Sequence, residues 1–261
     1  YTLLIPKGEV LTGEKLRKLY NFNKGDNVQS EVLFASTAAR KKLIASLMKD
    51  AQTYGFDGIN LDVEGIKASA GPHYVQFIRE MSVSCRQKGL VLSVDDYVPA
   101  AYSAFYNRKE QGTVADYVIV MGYDEHFAGG AAGSVASLSY VENGITDTLE
   151  EVPKEKLINS VPLYTRVWTE KDGKTTSKAY GITAAQNWVE ENNVELTWQD
   201  NIGQYYGETE NENGTQKIWM EETKSLGLKK DLVNKYDLAG IACWKLGFET
   251  ADIWAVINDV K

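Results

Sequence analysis

"FDGINLDVEG", residues 56–65, sets polar side chains at every second position, Asn60, Asp62 and Glu64, with Ile59, Leu61 and Val63 between them. Successive side chains of a strand point to opposite faces, so alternation of period two is a strand pattern. What matters is where the polar face looks. If it meets water, this is an ordinary surface strand. If it meets the inside of a closed parallel sheet, two carboxylates lie buried side by side in a place that must use them.

The flanks favour the second case. Residues 37–54 put Leu43, Ile44, Leu47, Met48, Ala51 and Tyr54 on one helical stripe that Gly55 ends. A second helix starts near Pro72, carries Tyr74, Phe77, Ile78, Met81 and Cys85 on one side, and stops at Gly89. A strand follows in "LVLSVDDYV" from Leu90, with further apolar runs at Tyr117–Met121, Leu157–Pro162 and Leu238–Trp244. Thr250 suits the N-cap of a last helix bearing Ile253, Trp254 and Ile257. Strands alternating with helices imply parallel pairing, and a parallel sheet is covered on both faces. Asn60, Asp62 and Glu64 are therefore expected to point into a barrel lumen or a ligand crevice.

Between Pro162 and Leu238 the connection is too long for a simple loop, and it is rich in Trp and Tyr: Trp168, Trp188, Trp198, Tyr205, Tyr206 and Trp219. It reads as an insertion over 163–237, with short strands and a helix from about Ser225 to Tyr236. "GETENENGTQ", at 207–216, reads as an exposed loop.

Composition narrows the partners. The 261 residues are 43% hydrophobic, which suits one large domain with a substantial core or two small ones. A formal charge of −8 with no run of Lys or Arg argues against nucleic acid and against anionic membrane. No stretch approaches the length of a membrane span, and Tyr1 does not open a signal peptide. Cys85 and Cys243 form no ligand-spaced or disulfide framework, and with two His a metal site is not expected.

The spacing of the carboxylates suggests a chemistry. Side chains two apart on one strand face have Cα atoms roughly 6–7 Å apart. Like charges at that range, partly desolvated, cannot both ionise freely. A carboxylic acid kept protonated near neutral pH is what a departing glycosidic oxygen needs. Glu64, nearest the C-terminal end of the strand, is the natural acid. A calcium loop beginning at Asn60 would need a carboxylate at its twelfth position, and Gly71 stands there.

"FDGINLDVEG" resembles the signature strand of glycoside hydrolase family 18, with Asp57, Asp62 and Glu64 in register. "MGYDEH" at 121–126 is similar to that family's second signature, and "VPLYTR" and "IACWKLGFE" look like its last two barrel strands. The runs "MGYDEHFAGGAAGSVASLSYVENGI" and "IWMEETKSLGLKKDLVNKYDLAGIACWKLGFE" resemble the spore-cortex and cell-wall N-acetylglucosaminidase branch of sporulating Gram-positive bacteria. The likeness runs from about Val32 to the C-terminus.

That resemblance implies an α/β fold, a (βα)8 TIM-type barrel, as a single catalytic domain over 1–261 with the insertion at 163–237 before the last strand. It implies hydrolysis of β-1,4 bonds next to N-acetylglucosamine in peptidoglycan or spore cortex, with chitin as the alternative substrate. The substrate's own acetamido carbonyl would act as nucleophile. Glu64 would be acid and then base, Asp62 would hold the acetamido N–H, and Tyr123 would donate to the acetamido oxygen. Asp124 would buttress the site and Trp244 would form the sugar floor. Asn60, Asp57, Met121, Tyr164, Arg166 and Tyr97 complete the expected substrate contacts. Which of Asp95, Asp96 and Tyr97 faces the sugar stays open. The resemblance implies no cofactor, no obligate protein partner, and a location outside the cell, at the wall or spore surface.

Two departures from the family stand out. Asn60 replaces the middle aspartate of the signature; an amide cannot ionise but can hydrogen-bond Asp62. Six strand candidates begin with "YTLLIP" at residues 1–6, which fits the family's third strand, so the first two βα units are expected to be absent. A chitinase-like lectin is the competing class, and such proteins usually lack the acid that Glu64 provides.

Overall fold

In the computed structural model, which describes residues 3–6, 19–23 and 27–260, two strands come before the long helices: β1 (Leu3–Pro6) and β2 (Leu19–Asn23). Helices α1 (Asn27–Ala35) and α2 (Thr37–Tyr54) lead into β3 (Gly58–Asp62). Then α3 (Gly71–Lys88) leads to β4 (Val91–Tyr97), and α4 (Arg108–Val114) to β5 (Tyr117–Met121). Beyond α5 (Leu138–Leu149) comes β6 (Leu157–Pro162). A run of short strands follows: β7 (Tyr164–Lys171) and β8 (Lys174–Gly181), helix α6 (Ile182–Glu191), then β9 (Thr197–Gln199), β10 (Gln204–Asn211) and β11 (Gly214–Met220). The chain closes with α7 (Thr223–Lys235), β12 (Gly240–Trp244) and α8 (Ile253–Ile257).

Two units share these elements. One holds β2 to β5 and their helices, up to Met121, together with Thr146–Ile158; the other holds β1, Gly122–Ile145 and the chain from Asn159 onward.

In the unit that ends at Met121, β2, β3, β4 and β5 are parallel neighbours, in register at Asn21–Asn60, Asn60–Ser93 and Asp95–Ile119. The helices that join them arise where the sequence puts them. Ser36 caps α2 by accepting the Ala39 N–H at 3.3 Å, and Gly55 ends it in the left-handed region at φ 64°. Gly89 ends α3 in the same way at φ 67°. Ile44, Leu47 and Ala51 of α2 and Tyr74, Phe77, Ile78, Met81 and Cys85 of α3 are buried with Ile59, Leu61 and Val63 of the signature stretch. Each fully buried aliphatic or aromatic side chain contributes about 1.5–3 kcal/mol. Tyr54, on the stripe by spacing, is 64% exposed. Arg40 takes a buried place instead, because its guanidinium meets both Glu80 oxygens at 3.0 and 3.1 Å and the Phe34 carbonyl at 2.6 Å.

The parallel neighbour of the signature strand is β2, not "YTLLIP". Leu3–Pro6 instead pairs antiparallel with the last strand, Leu3 opposite Cys243 and Pro6 opposite Gly240. An apolar run announces a strand but not its partner. Leu19–Asn23 is hard to see in sequence because it is five residues long and alternates apolar with Asn among charged neighbours.

In the other unit, β7 to β11 form an antiparallel sheet in the order β8-β7-β11-β10-β9. Long hairpins at Asp172–Gly173 and Glu212–Asn213 set its register, so the stretch read as a loop at 207–216 is largely strand. Val167, Ile218 and Met220 of this sheet pack with Ala185 and Trp188 of α6. The helix expected near Ser225 is α7, capped by the Glu222 carboxylate on the Lys224 and Ser225 N–H groups. Asp252, not Thr250, precedes α8; the Thr250 carbonyl accepts the Ile253 N–H in a turn before it. Cys85 and Cys243, one in each unit, are fully buried free thiols, pushed up to about 12 by burial.

Candidate active site

Asn60, Asp62 and Glu64 share one side of β3 and its continuation. Asn60 is 1% exposed, while Asp62 and Glu64 are half-buried, so the polar face is closed at its base and opens toward the strand's C-terminal end. The ladder stops at Asp62 because side chains take over the next backbone groups. Tyr106 donates its hydroxyl to the Val63 carbonyl at 3.1 Å, and Tyr97 accepts the Gly65 N–H at 3.1 Å. Gly65 turns at φ 66°, a conformation that suits glycine. Glu64 is thus held just beyond the strand by its neighbours on both sides. The Tyr97 hydroxyl also hydrogen-bonds the Glu64 side chain. Burial first, then the Glu64 charge, pushes the Tyr97 phenol well above its ordinary range, so it stays a donor.

Ser93, Asp95 and Tyr97 have the parity of one face of β4, and the structure puts that face with Asn60. The Ser93 hydroxyl donates to Asn60 Oδ1 at 2.6 Å, and Asn60 Nδ2 donates to Asp95 Oδ2 at 2.9 Å. Asp96 points the other way, with its Oδ2 at 4.0 Å from Arg108 Nε. Burial pushes its carboxyl up to about 7, and Arg108 opposes that rise. Of the three residues left open by sequence, Asp95 and Tyr97 share the side of the carboxylates and Asp96 does not. The signal was available in "LSVDDYV": the second, fourth and sixth residues of Val91–Tyr97 alternate against Ser93, Asp95 and Tyr97. Met121, 8% exposed at the end of β5, is the register partner of Tyr97.

Asp57 lies elsewhere. It is exposed and precedes β3, while Glu64 follows its C-terminal end. Seven residues of extended chain span about 23 Å.

The second unit gathers an aromatic group. Trp244, the last residue of β12 and 37% exposed, meets Tyr164 edge-on at 5.3 Å between centroids, Phe248 edge-on at 5.9 Å, and Tyr123 at 6.5 Å. Tyr123 and Tyr164 are T-shaped at 6.3 Å. These geometries suit ring quadrupoles and hold the indole while leaving it partly exposed. The Tyr164 hydroxyl donates to Asp124, whose backbone is left-handed at φ 60°. Tyr164 is 2% exposed, and burial followed by the Asp124 charge raises its phenol far above the ordinary range. Arg166, two residues along β7, donates from Nη1 to Ser177 at 3.2 Å. Below the turn at Met121–Tyr123, a Cβ on Gly122 would sit 2.8 Å from the buried Asn159 side-chain oxygen and 3.0 Å from the Ser160 carbonyl. Phe248 was not expected from sequence, since nothing distinguishes it from a core aromatic.

The family model for glycosyl hydrolases family 18 matches residues 25–249. The cortical fragment-lytic enzyme of Bacillus subtilis (strain 168) is 25% identical over 238 residues, covering 87% of this chain and 55% of that protein. Among solved structures, the chitinase of Chromobacterium violaceum ATCC 12472 superposes with a TM-score of 0.86 at 24% identity, covering 94% of this chain and 80% of that one. The spore cortex-lytic enzyme SleL of Bacillus megaterium QM B1551 gives 0.84 at 21% identity, covering 93% and 59%. These neighbours share the α/β, TIM-barrel type of fold. The chain spans about half the length of most of the Bacillus relatives it matches.

Proposed function

We propose that this chain, which belongs to glycosyl hydrolase family 18, hydrolyses β-1,4 bonds next to N-acetylglucosamine in peptidoglycan or spore cortex. The observation that carries this reading is Glu64. It stands past the C-terminal end of a parallel strand, half-buried, hydrogen-bonded by Tyr97, with Asp62 two residues before it on the same side.

The chemistry follows from those groups. Glu64 gives its proton to the glycosidic oxygen as the bond to the anomeric carbon breaks, and the oxygen of the substrate's 2-acetamido group closes on that carbon. Asp62 accepts the acetamido N–H and faces the positive charge that spreads over the cyclic oxazolinium. Glu64, now a carboxylate, takes a proton from water as the water opens that ring, so configuration is retained and the acid is restored. Tyr123 donates to the acetamido oxygen, Asp124 and Tyr164 steady that end, and Trp244 offers its open face to the sugar. Asn60, Met121, Tyr97 and Arg166 complete the contacts; Asp57 serves the strand's entry rather than the sugar.

The same reading treats the chain as one catalytic barrel domain with an insertion at 163–237, working outside the cell at the wall or spore surface. Among the described residues no helix is long and apolar enough to cross a membrane. Mass spectrometry of products from muropeptide or cortex fragments and from N-acetylglucosamine oligomers, with Glu64→Gln in parallel, tests it. Cleavage by the wild type alone is expected, faster on the wall fragments. Faster cleavage of the oligomers would make chitin the substrate. Equal activity in Glu64→Gln would refute the assignment of the acid.

A further inference from the structure

We infer that Asp95 is the proton-holding partner of Asp62: a carboxyl on the neighbouring strand, gripped by the Asn60 amide, that stays protonated so that Asp62 alone carries the negative charge. This rests on the hydrolase reading above and gives its electrostatics a residue that the family signature does not name.

The geometry is specific. Asp95 is 5% exposed, Asn60 1% and Ser93 0%. A hydroxyl proton from Ser93 reaches Asn60 Oδ1, which orients the amide and leaves its N–H₂ to Asp95 Oδ2. The other oxygen of Asp95, Oδ1, is buried and has no hydrogen-bond partner among the described residues. A bare carboxylate oxygen in that position is costly, whereas a protonated one is not.

Among the described residues, the charges that act most on Asp95 are of its own sign. Asp62 and Glu64 face it from the signature segment, and Asp96 adjoins it on β4. From α3 the Tyr74 phenol lies within electrostatic reach and is itself neutral, raised well above its ordinary range chiefly by burial. The partner on β5 is Ile119, which is apolar. Arg108 acts on Asp96, on the opposite face. Burial and then the Asp62 charge hold the Asp95 carboxyl well above the usual aspartate range, with Asn60 drawing it partly back. One proton and one charge for the Asp62–Asp95 pair is therefore the stable state near neutrality. Asp95 is a positioning residue: it acts through Asp62.

Asn60 then has a reason to be an amide. An aspartate there would add a third carboxyl to a buried pair that already shares one charge. Moving the carboxylate from β4 to β3 while moving the amide the other way should keep the count.

The test is a set of pH–rate profiles on a soluble N-acetylglucosamine oligomer or muropeptide for wild type, Asp95→Asn, Asn60→Asp and the double variant Asn60→Asp/Asp95→Asn, each checked by thermal unfolding. Asp95→Asn is expected to lower kcat about tenfold or more with KM within about threefold, and to change the shape of the profile. The double variant is expected to recover most of that loss. Unchanged kcat and profile in Asp95→Asn, or no recovery in the double variant, would overturn the inference. Carboxyl-carbon NMR of the wild type reads the same state without turnover: the Asp95 carboxyl is expected to titrate well above the ordinary aspartate range, and titration within that range would overturn the inference. A wild type that cleaves no substrate sinks the hydrolase reading, and with it Asp95's part in catalysis. Active wild type with an indifferent Asp95→Asn sinks this inference alone.

Discussion

Tyr97 fastens Glu64 from across the sheet: its phenolic oxygen accepts the Gly65 N–H at 3.1 Å and its hydroxyl proton serves the Glu64 side chain. The candidate acid is therefore aimed by a strand that does not carry it. Tyr97→Phe keeps the ring and loses both bonds. A hydrogen bond to a charged group is worth about 1.5–3 kcal/mol, so kcat should fall at least about tenfold with little change in unfolding temperature. Steady-state kinetics beside a melting curve checks this; unchanged kcat would mean Glu64 needs no such hold.

Trp244 offers a different handle. It is clasped by Tyr123, Tyr164 and Phe248 and still 37% exposed. Trp244→Ala in a Glu64→Gln background should weaken oligosaccharide binding by about tenfold or more, some 1.4 kcal/mol, as measured by calorimetry. Binding within twofold of the parent would remove the indole from the sugar site.

Gly122 and Gly55 make a controlled pair. Alanine at Gly55 meets nothing within 4 Å but must adopt φ 64°, a cost of about 1–2 kcal/mol with no effect on turnover. Alanine at Gly122 would press on Asn159 and Ser160 and displace the turn that carries Tyr123. Overpacking of that kind costs about 1–3 kcal/mol, and here turnover should fall with stability. Denaturant midpoints and kcat for the two variants separate the cases.

Asp96 predicts a pH effect on stability alone. Its carboxyl is pushed up to about 7 by burial, against an ordinary value of 3.8. Between those two values the unfolded chain has lost this proton and the folded chain retains it. Stability from this group is thus present in full below about pH 4 and is lost as pH rises through about 7. Asp96→Asn should gain on the wild type in urea midpoint from about pH 5 to pH 8. A difference that is flat or reversed over that interval would count against a carboxyl held protonated by burial.

Much of this was legible in the residues, and the exceptions have physical causes. Gly55 and Gly89 terminate their helices because only glycine takes the left-handed turn without strain, so those boundaries follow from composition. The polar alternation of Asn60, Asp62 and Glu64 predicts a face that is not simply solvated, and Asn60 at 1% exposure bears that out. Leu3–Pro6 reads correctly as a strand and incorrectly as a neighbour of the signature strand, because pairing is settled by contacts far apart in sequence, Leu3 with Cys243. Asp57 matches a motif by spacing, yet a strand sends its two ends to opposite edges of the sheet. The Asn60–Asp95 bond joins residues 35 apart, and only the register of β3 on β4 brings them together.

The two cysteines have a practical consequence. A thiol reacts through its thiolate, and with pKa values near 12 only about one in 10⁵ of Cys85 or Cys243 is ionised at neutral pH, with neither sulfur reachable by reagent. The native chain is in effect silent toward maleimides. A single cysteine placed at Tyr54 or Val32, 64% and 70% exposed, would take one dye or spin label, with no background to remove first.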